Sequence, residues 1–304
     1  MAEWEPQRGV QLTWPHKDTD WVPILPEITA VYEEMAREIS KRESLIIVDD
    51  IPHNDTWARD HGFITVEEDG QLILLDFQFN GWGEKFPADL DNQINKHLYD
   101  KGLVKGVYED HLDFVLEGGS IESDGKGTIF TTACCLLAPH RNQPLTAQQI
   151  EDRLKEYLGA ERIVWLHHGS LIGDDTDGHI DTLVRICPDD TLLYTGGDEA
   201  HPDLYEMEHE LQTLRTIEGQ PYRLLKLPLP RPIYDEGDRL PATYANYLVI
   251  NGAVLVPTYN QPDLDQEAMH VIQQAFPDRE IVGIDCRAVI KQHGSLHCCT
   301  MQYY

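Results

Sequence analysis

Short runs of β-branched and apolar residues recur along this chain, and that recurrence limits the folds open to it. They include Leu45–Val48, Leu72–Phe77, Thr128–Thr132, Arg162–Leu166, Leu183–Ile186, Thr191–Tyr194, Tyr247–Ile250, Ala253–Pro257 and Ile281–Ile284. Their shortness and their flanking Gly, Asp and Pro predict strands. Longer mixed stretches between them predict helices at Glu27–Ser40, Leu90–Lys101, Thr146–Leu158, Asp203–Ile217 and Asp263–Phe276. The first sets Ile28, Val31, Tyr32, Met35 and Ile39 at helical spacing, with Pro26 just before it. Thr146 and Gln149 have the spacing of a capping box. Asn251-Gly252 predicts a tight turn between Tyr247–Ile250 and Ala253–Val256. Phe63–Val66 and Leu72–Phe77 are expected to pair through Glu67–Gln71. Strand, strand, helix, strand recurs about five times, without a residue-level repeat or a Ser/Gly linker. The expectation is a single α/β domain over residues 1–304.

Charge narrows the partners. Asp and Glu number 53 against 24 Lys and Arg, a formal charge of −29. That argues against nucleic acid and anionic membrane, which present phosphates, and suits a cationic ligand. Hydrophobic residues make up 41% of the chain, enough for a sizeable core. The six cysteines (Cys134, Cys135, Cys187, Cys286, Cys298 and Cys299) form no C-x-x-C pair, so a zinc ribbon or thioredoxin motif is unsupported. Free thiols in a reducing compartment are expected. The acidic start has no apolar signal segment, and no stretch approaches the roughly 20 apolar residues of a membrane span. A cytoplasmic location is expected; self-association into a homo-oligomer stays open.

Four segments carry reactive side chains: Asn54–Gly62, Leu116–Ser120, Thr176–Asp181 and His293–Thr300. On a strand, His179 and Asp181 would share a face and point into one pocket. Alone, each signal has a plain structural reading. Gly118-Gly119 after Glu117 can be a turn, Arg59 and Asp60 a local ion pair, and Cys298 a core residue. An acid, a base and a nucleophile together are what point to chemistry.

Several ordered motifs then resemble one family. They are Glu3-Trp4-Glu5-Pro6, Thr13-Trp14-Pro15-His16, Trp57-x-Arg59-Asp60-x-Gly62, Phe79–Gly83, Glu117–Ser120, Asp177–Asp181 and His297-Cys298-x-Thr300. Over nearly its whole length the chain is similar to agmatine deiminases and bacterial peptidylarginine-deiminase-like proteins, within the guanidine-modifying enzymes. The resemblance implies a five-bladed α/β propeller of ββαβ modules. It implies Cys298 as nucleophile, His179 as general acid/base, and Glu117, Asp60 and Asp181 as carboxylates around the substrate. No metal or organic cofactor is called for.

A guanidinium is planar, cationic and carries five N–H donors, so carboxylates grip it in bidentate fashion. Asp60 and Asp181 are expected to clamp it, and Glu117 to bind it, to orient His179, or both. The Cys298 thiolate would then attack its carbon, and His179 would serve first as acid, then as base. Three carboxylates near Cys298 should keep it a thiol until a cation arrives. Trp57 and Trp82 are candidate walls for the cation, and Asn54 a candidate partner for a substrate amine. Cys299 is expected to pack on the opposite side from Cys298, and His297 to be structural and to face away. The charge favours agmatine, a dication, over zwitterionic arginine, for whose carboxylate Arg59 could serve. Departures from the family pattern at His61-Gly62-Phe63 and at Gln292–Leu296, which lacks a run of glycines, bear on the amine end of the pocket. Arginine or peptidylarginine deimination is therefore the alternative; amidino transfer, or a non-catalytic guanidine-binding protein on the same scaffold, is the reading outside it.

Overall fold

A computed structural model describes residues 1–304. The chain forms five three-stranded sheets and one small hairpin, Tyr234–Asp235 with Asp238–Arg239. In every three-stranded sheet the central strand is antiparallel to one neighbour and parallel to the other. Ile64–Glu68, Gln71–Gln78 and Val107–Val115 make the first, with helix Asp91–Asp100 as the crossover. Ile121–Ser123, Thr128–Thr132 and Arg162–Leu166 follow, crossing by helix Ala147–Leu158. The third joins Val184–Cys187, Thr191–Thr195 and Arg223–Leu227, crossing by Pro202–Thr213. The fourth joins Leu248–Ile250, Ala253–Thr258 and Glu280–Asp285, crossing by Pro262–Ala275. The last is assembled from both ends of the chain. Thr300–Tyr303 pairs antiparallel with Gly9–Thr13, which runs through helix Leu25–Ser40 to the parallel strand Ser44–Val48. A parallel pair needs a crossover, which is why each sheet carries one helix.

Local signals explain most boundaries. Helix Leu25–Ser40 begins with proline in its first turn and buries Ile28, Tyr32, Met35 and Ile39. Both hydrogen bonds of the Thr146/Gln149 capping box form, and Gly159 ends that helix at φ 64°. Ile250 pairs with Ala253 across Asn251-Gly252, as expected. The first hairpin differs from expectation. Its strands run on to Glu68 and Gln71, and the turn is only Asp69-Gly70, at φ 51° and 78°. Those positive angles are what a two-residue hairpin demands. Helix Pro202–Thr213 stops short of Ile217, because Leu214 turns extended and the following chain closes on itself through Arg215 and Pro221. Gly9–Thr13, Val107–Val115, Ile121–Ser123, Arg223–Leu227 and Thr300–Tyr303 were not anticipated as strands. Val107–Val115 and Arg223–Leu227 are largely half-exposed and carry charges, so their pattern reads as loop.

The largest apolar cluster joins the fourth and last sheets with helix Leu25–Ser40, and it reaches Trp57, Trp82, Cys298 and Cys299. No helix is long and apolar enough to cross a membrane.

Candidate active site

The turn that leads into the first strand of each sheet supplies a polar side chain to one buried cluster. Asp60 precedes Ile64, Glu117 precedes Ile121, and His179 and Asp181 precede Val184. Asn246 precedes Leu248, and Cys298 precedes Thr300. Five separated segments thus converge. All six side chains are buried; Cys298 is 4% exposed and Glu117, His179 and Asp181 are fully covered.

Cys298 Sγ lies 3.4 Å from Asn246 Oδ1 and 3.8 Å from Asp181 Oδ2. The amide of Asn246 donates to Asp181 Oδ2 at 3.1 Å, and its Oδ1 also accepts from the Cys298 N–H. Asp60 Oδ1 accepts from the Gly119 N–H at 3.1 Å and its Oδ2 from Trp82 Nε1 at 3.0 Å. His179 Nδ1 stands 3.7 Å from Asp60 Oδ1. Arg141 Nε donates to Glu117 Oε1 at 2.8 Å, while its other nitrogens hold Asp177 and the Thr176 carbonyl. Glu117 is thereby tied to the loop that precedes His179. Four of the buried atoms without a partner belong to this cluster: Glu117 Oε2, both ring nitrogens of His179, and Asp181 Oδ1. Unpaired buried polar atoms are costly and rare.

Burial and charge set the protonation states. Burial pushes the Asp60 carboxyl up to about 6, with Asp181 and Glu117 adding to it and His179 opposing. Ionising it there costs roughly 3 kcal/mol relative to a free carboxylate. Burial disfavours charged His179, but Asp60, Glu117 and Asp181 outweigh it and hold the imidazole above its usual range. Asp181 is held below its usual range: burial opposes, yet the hydrogen bond and charge of His297 prevail. Cys298 is pushed well above a normal thiol, first by burial and then by Asp181 and Asp60. Sequence reasoning anticipated the carboxylates but not that desolvation would be the larger cause.

A cavity of about 250 Å³ opens onto this cluster. Cys298 and Asp60 form its floor, Trp57 and Trp82 line it, and Phe86, 42% exposed, is also part of its wall. Asp20, Asp55 and Asp175 add carboxylates to that wall, against Lys291 and His293. Glu117, His179 and Asp181 do not line the cavity, but His179 lies 3.7 Å from Asp60 and Asp181 3.8 Å from Cys298. Gln292–Leu296 keeps glycine where it matters, since a Cβ on Gly294 would fall 2.1 Å from the Trp57 ring.

Several expectations need correction. His179 and Asp181 are not on a strand: His179 caps a single 3-10 turn that contains Asp181. Asn54 does not reach the cavity; its Oδ1 accepts from the N–H groups of Leu90 and Asp91 and caps the helix there. Arg59 makes no pair with Asp60 but turns away to Met301 and Gln302. His297 does not face away. Its Nδ1 bonds Asp181 Oδ2 at 2.7 Å and its Nε2 lies 3.2 Å from Glu3. The 3-10 turn His297–Cys299 replaces the strand that would have separated His297 from Cys298. Cys299 packs in the apolar core against Tyr32, as expected. Asn246 and Arg141 were missed. Nothing in their local sequence marks them, though the turn before Leu248 matches the placement of the other four.

The sequence model of the Porphyromonas-type peptidyl-arginine deiminases matches residues 1–303. A Porphyromonas gingivalis crystal structure, provisionally described as an arginine deiminase, is 50% identical and superposes at TM-score 0.94, covering 100% of this chain and 97% of that one. A substrate-bound agmatine deiminase variant from C. jejuni is 37% identical at TM-score 0.92, over 100% and 95% of the two chains. The agmatine deiminase of Pseudomonas aeruginosa is 30% identical over 99% of this chain and 94% of its own. With likeness from end to end in both sequence and fold, this chain belongs to the Porphyromonas-type peptidyl-arginine deiminase family.

Proposed function

We propose that the protein hydrolyses a C–N bond of a guanidinium substrate, with agmatine preferred and N-carbamoylputrescine and ammonia as products. The observation that carries this reading is the set of unpartnered buried atoms around Cys298. Glu117 Oε2 and Asp181 Oδ1 are acceptors without donors, and a planar five-donor cation supplies donors. Asp60 and Asp181 clamp it, Glu117 binds it and orients His179, and Trp57 and Trp82 wall it. Fixing the plane brings its carbon over Cys298.

Docking of the cation offsets the field that keeps Cys298 a thiol, its proton passes to water, and the thiolate attacks. Protonated His179 gives its proton to the departing amine and ammonia leaves. An S-alkylthiouronium remains on Cys298. Neutral His179 then activates water, and collapse releases the ureido product and the thiol. In this reading the five three-stranded sheets are propeller blades, which makes sense of five entry turns meeting at one place. Six free cysteines accord with a reducing, cytoplasmic setting.

For agmatine, the support lies in the acidic lining of the cavity. Asp20, Asp55 and Asp175 line it, and Arg59 is turned away, leaving no guanidinium for a substrate carboxylate. Lys291 is the one observation favouring arginine, but it lies 3.3 Å from Asp235. A panel of agmatine, arginine and an arginyl peptide tests the assignment by ammonia release. Turnover of agmatine above the other two is expected; preference for arginine or the peptide would overturn it, and no deimination at all would remove the reading.

Binding should also depend on pH. Asp60 and Asp55 both sit at about 6 in the free protein, raised chiefly by burial. A bound cation requires their ionised forms, so affinity rises with pH below 6 and levels off above it. His179, held above its usual range, stays protonated through that rise and adds no slope. Well below pH 6, calorimetry on the Cys298→Ala protein should find about one proton released by a simple alkylguanidinium and about two by agmatine, each worth about tenfold in affinity per pH unit there and falling away above pH 6. Equal release by the two ligands would remove Asp55 from amine recognition.

A further inference from the structure

Beside Glu117 and His179 lies a second sulfur that the mechanism does not use. Cys135 sits in the short helical turn Ala133–Leu136, whose start is capped by Thr132. Its N–H donates to Thr132 Oγ1, and its side chain is fully buried while that of Cys134 is exposed. Cys135 Sγ, a carboxylate oxygen of Glu117 and a ring nitrogen of His179 all lie within 4.8 Å of one another. Arg141 occupies only Oε1 of Glu117. Its Oε2 has no donor, and neither nitrogen of His179 has a partner. We propose that Glu117, Cys135 and His179 form a binding site for a thiophilic divalent cation of the Zn²⁺ class, whose occupation shuts the enzyme off. The inhibition rests on the reading of Glu117 and His179 given above; the binding does not.

The donor set selects the metal. Thiolate, imidazole and carboxylate together suit zinc, whereas calcium and magnesium prefer oxygen alone. Zinc bonds of about 2.0–2.3 Å put neighbouring ligand atoms about 3.3–3.8 Å apart in a tetrahedron. Closing the observed triangle therefore asks for roughly an ångström of movement, shared by three side chains. The Cys135 thiol is held well above its usual range, first by burial and then by Glu117, so the metal must displace its proton. The step is balanced: the Cys135 S–H bond and one His179 N–H bond break, sulfur–metal and nitrogen–metal bonds form, two protons leave to water, and no electron is transferred. Arg141 Nη2, 3.9 Å from Cys135 Sγ, opposes a neighbouring cation but favours the thiolate. Glu117, Asp60, Asp181 and the new thiolate outnumber that one positive charge. Because the metal takes Glu117 Oε2 and His179, it excludes the guanidinium and removes the acid/base group at once.

Cobalt(II) reads the site directly, through a thiolate-to-metal charge-transfer band that does not depend on activity. The band is expected in Cys298→Ala and Cys134→Ala proteins and absent from Cys135→Ser. Zinc should inhibit the unmodified enzyme competitively with substrate. Cys135→Ser should keep turnover while its inhibition constant rises about a hundredfold, the scale on which lost metal partners act. Should Cys135→Ser fold poorly, Cys135→Ala serves in its place. A band that survives loss of Cys135 and vanishes with Cys298→Ala would put the metal on the nucleophile and overturn the proposal, as would the absence of any band. Failure of every guanidinium to react would overturn the proposed function but leave the cobalt result standing.

Discussion

Cys298→Ala should reduce ammonia release from agmatine to background, while Cys299→Ala should keep a measurable rate. The two sulfurs are neighbours in sequence, yet the 3-10 turn His297–Cys299 sends them into different surroundings. Cys298 forms part of the cavity floor and lies within 4 Å of Asn246 and Asp181. Cys299 has no exposed surface and packs with Tyr32 in the apolar core. Removing the nucleophile removes the covalent route and leaves only positioning of water, so a loss on the order of 10⁴-fold or more is expected. Cys299→Ala deletes one buried sulfur, a packing defect worth about 1 kcal/mol. Mass spectrometry adds a second readout: a substrate-derived adduct on the wild type and none on Cys298→Ala. An active Cys298→Ala protein would end the mechanism, whatever the substrate.

The second large effect is expected from one methyl group. A Cβ on Gly119 would fall 2.6 Å from His179 Nδ1, 2.9 Å from Asp60 Oδ1 and 3.2 Å from Asp181 Oδ2. Its φ lies outside the left-handed region, so alanine meets no backbone penalty there. Its N–H, which holds Asp60, is also kept. Gly119→Ala should therefore fold nearly as well as the parent but displace His179, Asp60 and Asp181, the groups of the proposed mechanism, by a fraction of an ångström to an ångström. Misplacement on that scale costs about 100-fold in rate. Steady-state kinetics with thermal unfolding separates the effects: kcat/KM falls by about two orders of magnitude while Tm shifts by a few degrees. Near-normal turnover would mean that His179, Asp60 and Asp181 do not act at that point.

Most local signals were legible, though the Asp69-Gly70 turn was not. Asn251-Gly252 marks its hairpin because a two-residue turn needs positive φ, and Thr146 with Gln149 marks a helix start because both side chains bond within one turn. Strands that carry charges, such as Val107–Val115, were hidden because pairing with Ile73–Gln78, not alternation of their own residues, holds them. Among the site residues, Glu117, His179, Asp181 and Cys298 stand in short motifs that resemble those of one family, and could be named. Asn54 was named wrongly because a polar residue in a reactive segment can equally cap the next helix, which is what it does.

Sequence alone determined the candidate groups, through motifs that resemble one family, and the excess of acidic charge and the alternation of strand and helix, because each is written in residue type or in spacing within a few positions. The tertiary structure alone decided which side chains meet. Arg141 reaches Glu117, His297 reaches Asp181 and Asn246 reaches Cys298 across 24, 116 and 52 positions of chain. Contacts at such separations depend on how five sheets pack together, and on the pairing of Thr300–Tyr303 with Gly9–Thr13 that joins the two ends. No local pattern encodes them.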